Sequence, residues 1–308
     1  MDARSRLRRA VAHPVLFLRH ANRLYHRRLG LRKYDPDGID IFEKDWDNLF
    51  ILDGCRYDLF EARSDLPGRL SAVRSRASCT PEFLRANFDG RTLHDTVYVT
   101  ANPMPYRRRE SLNYRFHDVI HVWRDAGWDE DHGTVVPETT TEYAVEAAER
   151  YPDKRLIVHF LQPHYPFIVD TEFDKTDLEA HVSDRGPSIW DRLITGEATV
   201  PQETVWKAYA RNLEVALPHV KSLMTALEGR TVVTSDHGNM VGERSFPVPI
   251  REWGHPRGIY TEKAMTVPWL EFENGPRRRI QAEEPAPQED DVNDSEVLDR
   301  LRHLGYAE

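Results

Sequence analysis

A β-branched run, Thr231-Val232-Val233-Thr234, stops abruptly at Ser235-Asp236-His237-Gly238. The same pattern, a short apolar strand ending in polar residues, recurs along the chain. Residues 48–53 read NLFILD and lead into Gly54-Cys55-Arg56. Further strands are predicted over 69–77, 95–101, 155–161 and 265–272. Helical patterns fall between them, including one over 81–88 opened by Pro81 and a long one over about 203–228. Short apolar strands spaced by helices dictate a mostly parallel sheet covered on both faces. In such a sheet ligands bind beyond the carboxyl ends of the strands. The polar residues at those ends are therefore the candidates for chemistry.

Composition narrows the class. With 308 residues, 40% of them hydrophobic, the chain can bury one large core. No run approaches the roughly 18 apolar residues of a membrane span. Cys55 and Cys79 are the two cysteines, which excludes a disulfide-rich scaffold and a cysteine zinc ribbon and leaves room for one bridge. The net charge of −9 is unevenly placed. Residues 1–33 carry ten Arg/Lys against one Asp, a charge of about +9, and leave a body near −18. Nothing in that acidic body suggests nucleic-acid binding.

Three stretches are expected. Residues 1–33 form a basic amphipathic N-terminal arm, in which Leu7, Val11, Val15, Leu18 and Leu24 recur at roughly helical spacing among arginines. Such an arm would lie on an anionic membrane or pack on the body. A secretory signal fits less well, because His13 and Pro14 break the apolar stretch and no small-residue cleavage site follows. A cytoplasmic chain, peripheral at the inner membrane surface, is the expected placement. Residues 34–280 form the catalytic domain. Residues 281–308 form an acidic linker and a C-terminal helix stopped by Gly305.

The strand-end residues make a constellation. Asp53 and Asp236 offer hard oxygens, and His237 adds an adjacent imidazole, a set suited to a metal ion. Ser78, Cys79 and Thr80 stand at a helix start. His159 and His164 lie in HFLQPHYPF, and His255 in WGHP. His159 alternates within its strand and reads as structural. Asn102, in VTANP at another strand end, is a donor to substrate or a turn residue.

The ordered segments NLFILDGCRYD, CTPEFL, HFLQPHYPF, TSDHGNMVGE and WGHP followed by TVPWLEF resemble the sulfatase-like branch of the alkaline phosphatase superfamily, over about residues 47–308. The resemblance implies an α/β fold: an alkaline-phosphatase-like α/β/α sandwich with a mostly parallel central sheet. It implies a metal-dependent hydrolase or transferase that attacks a phosphate ester, or secondarily a sulfate ester, through a covalent side-chain nucleophile. The divalent metal (Mn²⁺, Zn²⁺, Mg²⁺ or Ca²⁺) would be held by Asp53, Asp236, His237 and the nucleophile. His164 and His255 would face the non-bridging oxygens or the leaving group, or bind a second metal. Arg56, Asn102 and His164 are the expected substrate contacts.

The family's nucleophile lies two residues before the proline, which here is Cys79. Sulfatases convert that residue to formylglycine through a C-x-P-x-R signal. Phe83 stands where the signal has Arg, so formylglycine at Cys79 is not expected. A helix N-terminus near a metal lowers a thiol pKa, which supports Cys79. Thr80 precedes Pro81 at the N-cap, and its hydroxyl is the second candidate, as in phosphoethanolamine-transferring relatives. The substrate would be a small-molecule or glycan- or lipid-linked ester. The alternative is a catalytically degenerate relative that binds an anionic glycan or lipid without turnover.

Overall fold

The computed structural model describes residues 12–168, 188–285 and 294–305. Its strands are β1 (Asn48–Leu52), β2 (Arg69–Arg74), β3 (Thr92–Thr100), β4 (Arg115–His121), β5 (Arg155–Phe160), β6 (Gly229–Thr234), β7 (Met240–Arg244), β8 (Arg251–Gly254) and β9 (Thr266–Asn274). Its helices are α1 (Val15–His26), α2 (Tyr57–Arg63), α3 (Thr80–Phe88), α4 (Met104–Arg108), α5 (Pro137–Arg150), α6 (Ile189–Thr195), α7 (Gln202–Ala226), α8 (Glu262–Met265) and α9 (Asp294–His303).

Seven strands form one sheet in the order β2-β9-β6-β1-β5-β3-β4. β1 runs parallel to both β5 and β6, and β3 runs parallel to β5 and β4. β9 is antiparallel to β6 and to β2. All five residues of β1 are buried, as are the last five of β5. A strand without an exposed face needs cover on both sides, and that is why these segments read as continuous apolar runs rather than alternating ones. α5 packs on α7 and on β5 and β3. α3 meets the sheet through Phe88, whose ring lies 5.5 Å from Tyr98 and 5.1 Å from Phe116. The fold is the expected α/β arrangement with a mostly parallel central sheet.

Several details depart from the sequence reading. β4 was not predicted, because RFHDVIH mixes two histidines and an aspartate into an edge strand that is only partly buried. The hairpin of β7 and β8 occupies what read as a loop. Cys55 and Cys79 are both free buried thiols, so no bridge joins them. Leu7, Val11 and residues 286–293 of the acidic linker lie outside the described residues. The arm's helix, α1, packs Val15 and Leu16 against the core at its start and docks its remaining turns by polar residues. Asn22 is fully buried, donates to Ser245 Oγ and the Val248 carbonyl at 2.8 Å each, and accepts from the Val248 amide at 2.8 Å. Arg23 donates to the Arg257 carbonyl at 2.8 Å.

Candidate metal and nucleophile site

β6, β1, β5 and β3 lie side by side and run the same way, so their carboxyl ends share one edge. Asp236, Asp53, His159 and Asn102 stand at or just past those ends, and all four are fully buried. Two glycines shape the turns. Gly54 has φ +68°, a left-handed conformation that lets the chain leave β1 with its amide aimed at Asp236 Oδ1, 3.0 Å away. Gly238 donates to the Ala264 carbonyl at 2.7 Å, and a Cβ there would sit 2.1 Å from the Lys263 carbonyl oxygen. The glycine after Asp236-His237 is thus required by a close approach of backbone to backbone.

The two aspartates and His237 form one cluster. Asp236 Oδ1 accepts from the Gly54 and His237 amides, at 3.0 and 2.9 Å. Its Oδ2 accepts from the Thr80 hydroxyl at 2.9 Å. His237 Nδ1 donates to the Gly238 carbonyl at 2.8 Å, which leaves Nε2 facing the cluster. That nitrogen lies 3.2 Å from Asp236 Oδ2, 3.6 Å from Asp53 Oδ1 and 3.3 Å from Thr80 Oγ. Asp53 Oδ2 accepts from Asn102 Nδ2 at 2.6 Å, while Asp53 Oδ1 is buried without a hydrogen-bond partner. Burial raises the Asp53 carboxyl, but His164, His159 and His237 together hold it below the usual carboxylate range.

This arrangement fits a divalent cation. Among the described residues no Arg or Lys pairs with Asp53 or Asp236. Two buried carboxylates side by side without a cation are costly. One ligand atom each from Asp53, His159 and Asp236 lies within 4.8 Å of the others. His159 was read from sequence as structural. It sits opposite Ile51 in the sheet register, its Nδ1 is 2.7 Å from the Tyr98 hydroxyl, and its Nε2 is 3.6 Å from Asp53. An imidazole in a strand buried on both faces was the available signal, since such a position has no water to satisfy it.

Thr80 and Cys79 occupy different environments. Thr80 opens α3 and directs its hydroxyl at Asp236 and His237. Cys79 is the preceding N-cap residue, and its buried thiol is pushed up by burial and by the neighbouring Glu82 carboxyl. Ser78 is held elsewhere: it lies 3.1 Å from both Glu82 Oε2 and the Pro256 carbonyl, and accepts from the Gly258 amide at 2.9 Å. These contacts pin the 255–258 loop to the turn before α3.

His164 and His255 complete the edge. The His255 ring lies 4.7 Å from His164 and 4.9 Å from His237, centroid to centroid. Burial lowers the pKa of both, and His164 and His237 lower that of His255 further. Two expected substrate contacts point elsewhere. Asn102 holds Asp53 with its amide and accepts from the Met104 amide at 2.8 Å, so it orients the first aspartate. Arg56 makes four hydrogen bonds, two to Asp58, one to Glu243 and one to the Asn239 carbonyl, and lies over the Trp206 ring. Its guanidinium is a buried structural clamp.

No family model matches the sequence, and no curated protein matches it. Solved structures do. The C-terminal periplasmic domain of EcEptC from Escherichia coli, in complex with Zn, is 14% identical with a TM-score of 0.47, over 78% of this chain and 74% of that one. The C-terminal periplasmic domain of the phosphoethanolamine transferase EptC from Campylobacter jejuni is 13% identical with a TM-score of 0.45, over 73% and 78%. BT1596, a 2-O GAG sulfatase, is 11% identical with a TM-score of 0.45, over 77% and 65%. The periplasmic domains among these neighbours overturn the cytoplasmic placement expected from the sequence. Among the described residues no helix is long and apolar enough to cross a membrane. Phosphoethanolamine transferases and sulfatases belong to the group that the ordered motifs of this chain resemble, the sulfatase-like branch of the alkaline phosphatase superfamily.

Proposed function

We propose that this chain is a metal-dependent phosphoester transferase or hydrolase in which Thr80 is the nucleophile. One observation carries the reading: the Thr80 hydroxyl, at a helix N-terminus, lies 2.9 Å from Asp236 Oδ2 and 3.3 Å from His237 Nε2, beside the uncompensated Asp53. Asp53, Asp236 and His237 would hold the ion, with His159 beside them, and this oxygen-rich set with imidazole suits Zn²⁺ or Mn²⁺. A bound ion would supply Lewis acidity toward the nucleophile and the ester oxygens.

The residues divide the remaining work. Thr80 Oγ gives its proton to Asp236 and forms a bond to phosphorus as the ester's alkoxide leaves. His164 or His255 stabilises the departing group, which takes its proton from solvent or through these imidazoles. The product is a phosphorylated Thr80, released by water in hydrolysis or by an acceptor hydroxyl in transfer. The substrate class is a small-molecule or glycan- or lipid-linked phosphoester, and the arm of residues 1–33 adds peripheral contact with a membrane.

The test uses nitrophenyl phosphate mono- and diesters and nitrophenyl sulfate with added Zn²⁺, Mn²⁺, Mg²⁺ or Ca²⁺. Thr80→Ala should lose turnover by about 10³-fold or more, as expected for a lost nucleophile, while Cys79→Ala stays within about threefold. Peptide mass spectrometry after quenching should find the adduct on Thr80. The reverse pattern would reassign the nucleophile to Cys79, and no turnover by wild type under any metal would favour a binding protein.

A further inference from the structure

The exposed apolar side chains of this molecule are not scattered. Among the described residues, every large hydrophobic side chain that stands exposed lies between Phe17 and Leu31, except Phe246. Phe246 joins the same patch, since its ring packs edge-on against Tyr25 at 5.5 Å. The cause is the way α1 docks beyond Val15 and Leu16, which pack on the core. α1 turns Arg19, Asn22, Arg23 and His26 to the body, where they pair with Asp191, Ser245, the Arg257 carbonyl and the Phe246 carbonyl. Its outward stripe is Phe17, Ala21, Leu24 and Tyr25, spaced for one helix face. A helix that only needed to pack on the body would do the opposite.

The stripe runs on into a projecting turn. Arg28, Leu29 and Gly30 all have positive φ, at 47°, 58° and 92°. For a bulky residue such as Leu29 that conformation is costly and needs a reason. Its effect is to hold Leu29 and Leu31 outward, 81% and 86% exposed. Basic residues surround this ridge. Arg28, Lys33 and Arg257 are exposed, and no Asp or Glu occurs from residue 3 to residue 34.

We infer that this ridge seats on the interface of an anionic lipid bilayer. Leu29 and Leu31 tip the ridge and are free to enter an acyl boundary. The charge is complementary: the basic arm is attracted to anionic headgroups while the acidic body is repelled, so one orientation is selected. α1 has 12 residues, long enough to lie in the interface. The inner side of α1 also adjoins the site. Arg23 bonds the Arg257 carbonyl, and that loop is tied through Gly258 to Ser78, two residues before Thr80. Resting on the function proposed above, this places the nucleophile turn on the side of the body that faces the membrane.

The test is co-sedimentation of the full chain with vesicles of phosphatidylcholine alone and with phosphatidylglycerol added, at low and high salt. The comparison variant is Leu29→Glu with Leu31→Glu, two exposed positions whose change leaves the core intact, as an unchanged melting temperature would verify. Wild type should bind the anionic vesicles, lose binding as salt rises, and bind about tenfold more tightly than the variant. Turnover of a soluble nitrophenyl ester should be equal in both, which separates failure of this inference from failure of the proposed chemistry. Equal partitioning of wild type and variant overturns the inference. So does a wild-type dimer in light scattering that the variant converts to monomer, since the ridge would then cover a second copy.

Discussion

Strand β1 is bracketed by two buried aspartates that meet opposite fates. Asp47, just before the strand, is 1% exposed, and Asp53, just after it, is fully buried. Asp47 receives the Arg277 guanidinium on both oxygens and the Arg230 amide at 2.7 Å. Asp53 receives an asparagine amide and the edges of imidazoles at 3.6 Å, with no Arg or Lys among the described residues. The amino end of the sheet carries its own permanent cation, and the carboxyl end leaves the cation to be supplied. The same residue type is therefore paired with a guanidinium at one end and set among imidazoles and an amide at the other.

Substitution at the two ends should break in different observables. Asp53→Asn should have the largest effect: bound metal falls from about one equivalent to near none, and turnover drops by about 10²–10³-fold or more. Thermal stability of the metal-free protein should be unchanged or higher, because two facing carboxylates become one. Elemental analysis beside calorimetry checks this, and full metal content in the variant would remove Asp53 from the ligand set. Asp47→Asn should instead cost about 2–3 kcal/mol of stability in a urea titration, since Arg277 loses a charged partner. Its turnover per folded molecule and its metal content should match wild type. A loss of metal from that variant would mean that the two ends are not independent.

The smallest effect belongs to a third carboxyl, on the strand that meets α1. Burial raises Glu252 to about 7, although Arg19 lies 3.0 Å away without hydrogen-bond alignment. A carboxyl raised in the folded state stabilises most below its unfolded value near 4.5, and that contribution is lost as pH rises through about 7. Glu252→Gln should therefore gain stability relative to wild type on going from pH 5 to pH 8. A difference that stays flat across about pH 5–8 would show that Arg19 holds Glu252 ionised throughout.

Much of this architecture was legible from residue types alone. Six of the seven sheet strands were predicted, and β1 and β5 read most plainly, because a strand buried on both faces has no polar positions to blur it. The edge strand β4 is only partly buried and keeps polar residues. The meeting of Asp53, Asp236 and His237 was readable because each stands within three residues of a strand's carboxyl end. The difference between Cys79 and Thr80 was not, since neighbouring residues at a helix start point about 100° apart and only the assembled fold shows that Thr80 faces Asp236 and His237. Arg56 misled for a similar reason: its partners Asp58 and Glu243 lie 2 and 187 residues away, and only the nearer one is visible as a neighbour. The outward apolar stripe of α1 was invisible, because an amphipathic pattern does not state which face meets the body.

The position of β1 has a consequence for how the chain acquires its structure. It is the first strand of the sheet along the sequence, yet it lies between β5 and β6, which begin at residues 155 and 229. Contacts separated by more than 100 residues on both sides make for slow closure, since the chain between must be ordered before they form. A growing chain carries Asp53 and Thr80 for most of its synthesis without Asp236, His237 or His255. Assembly of the Asp53, Asp236 and His237 cluster is therefore a late event, coupled to the insertion of β6, and β1 is among the last strands to be enclosed.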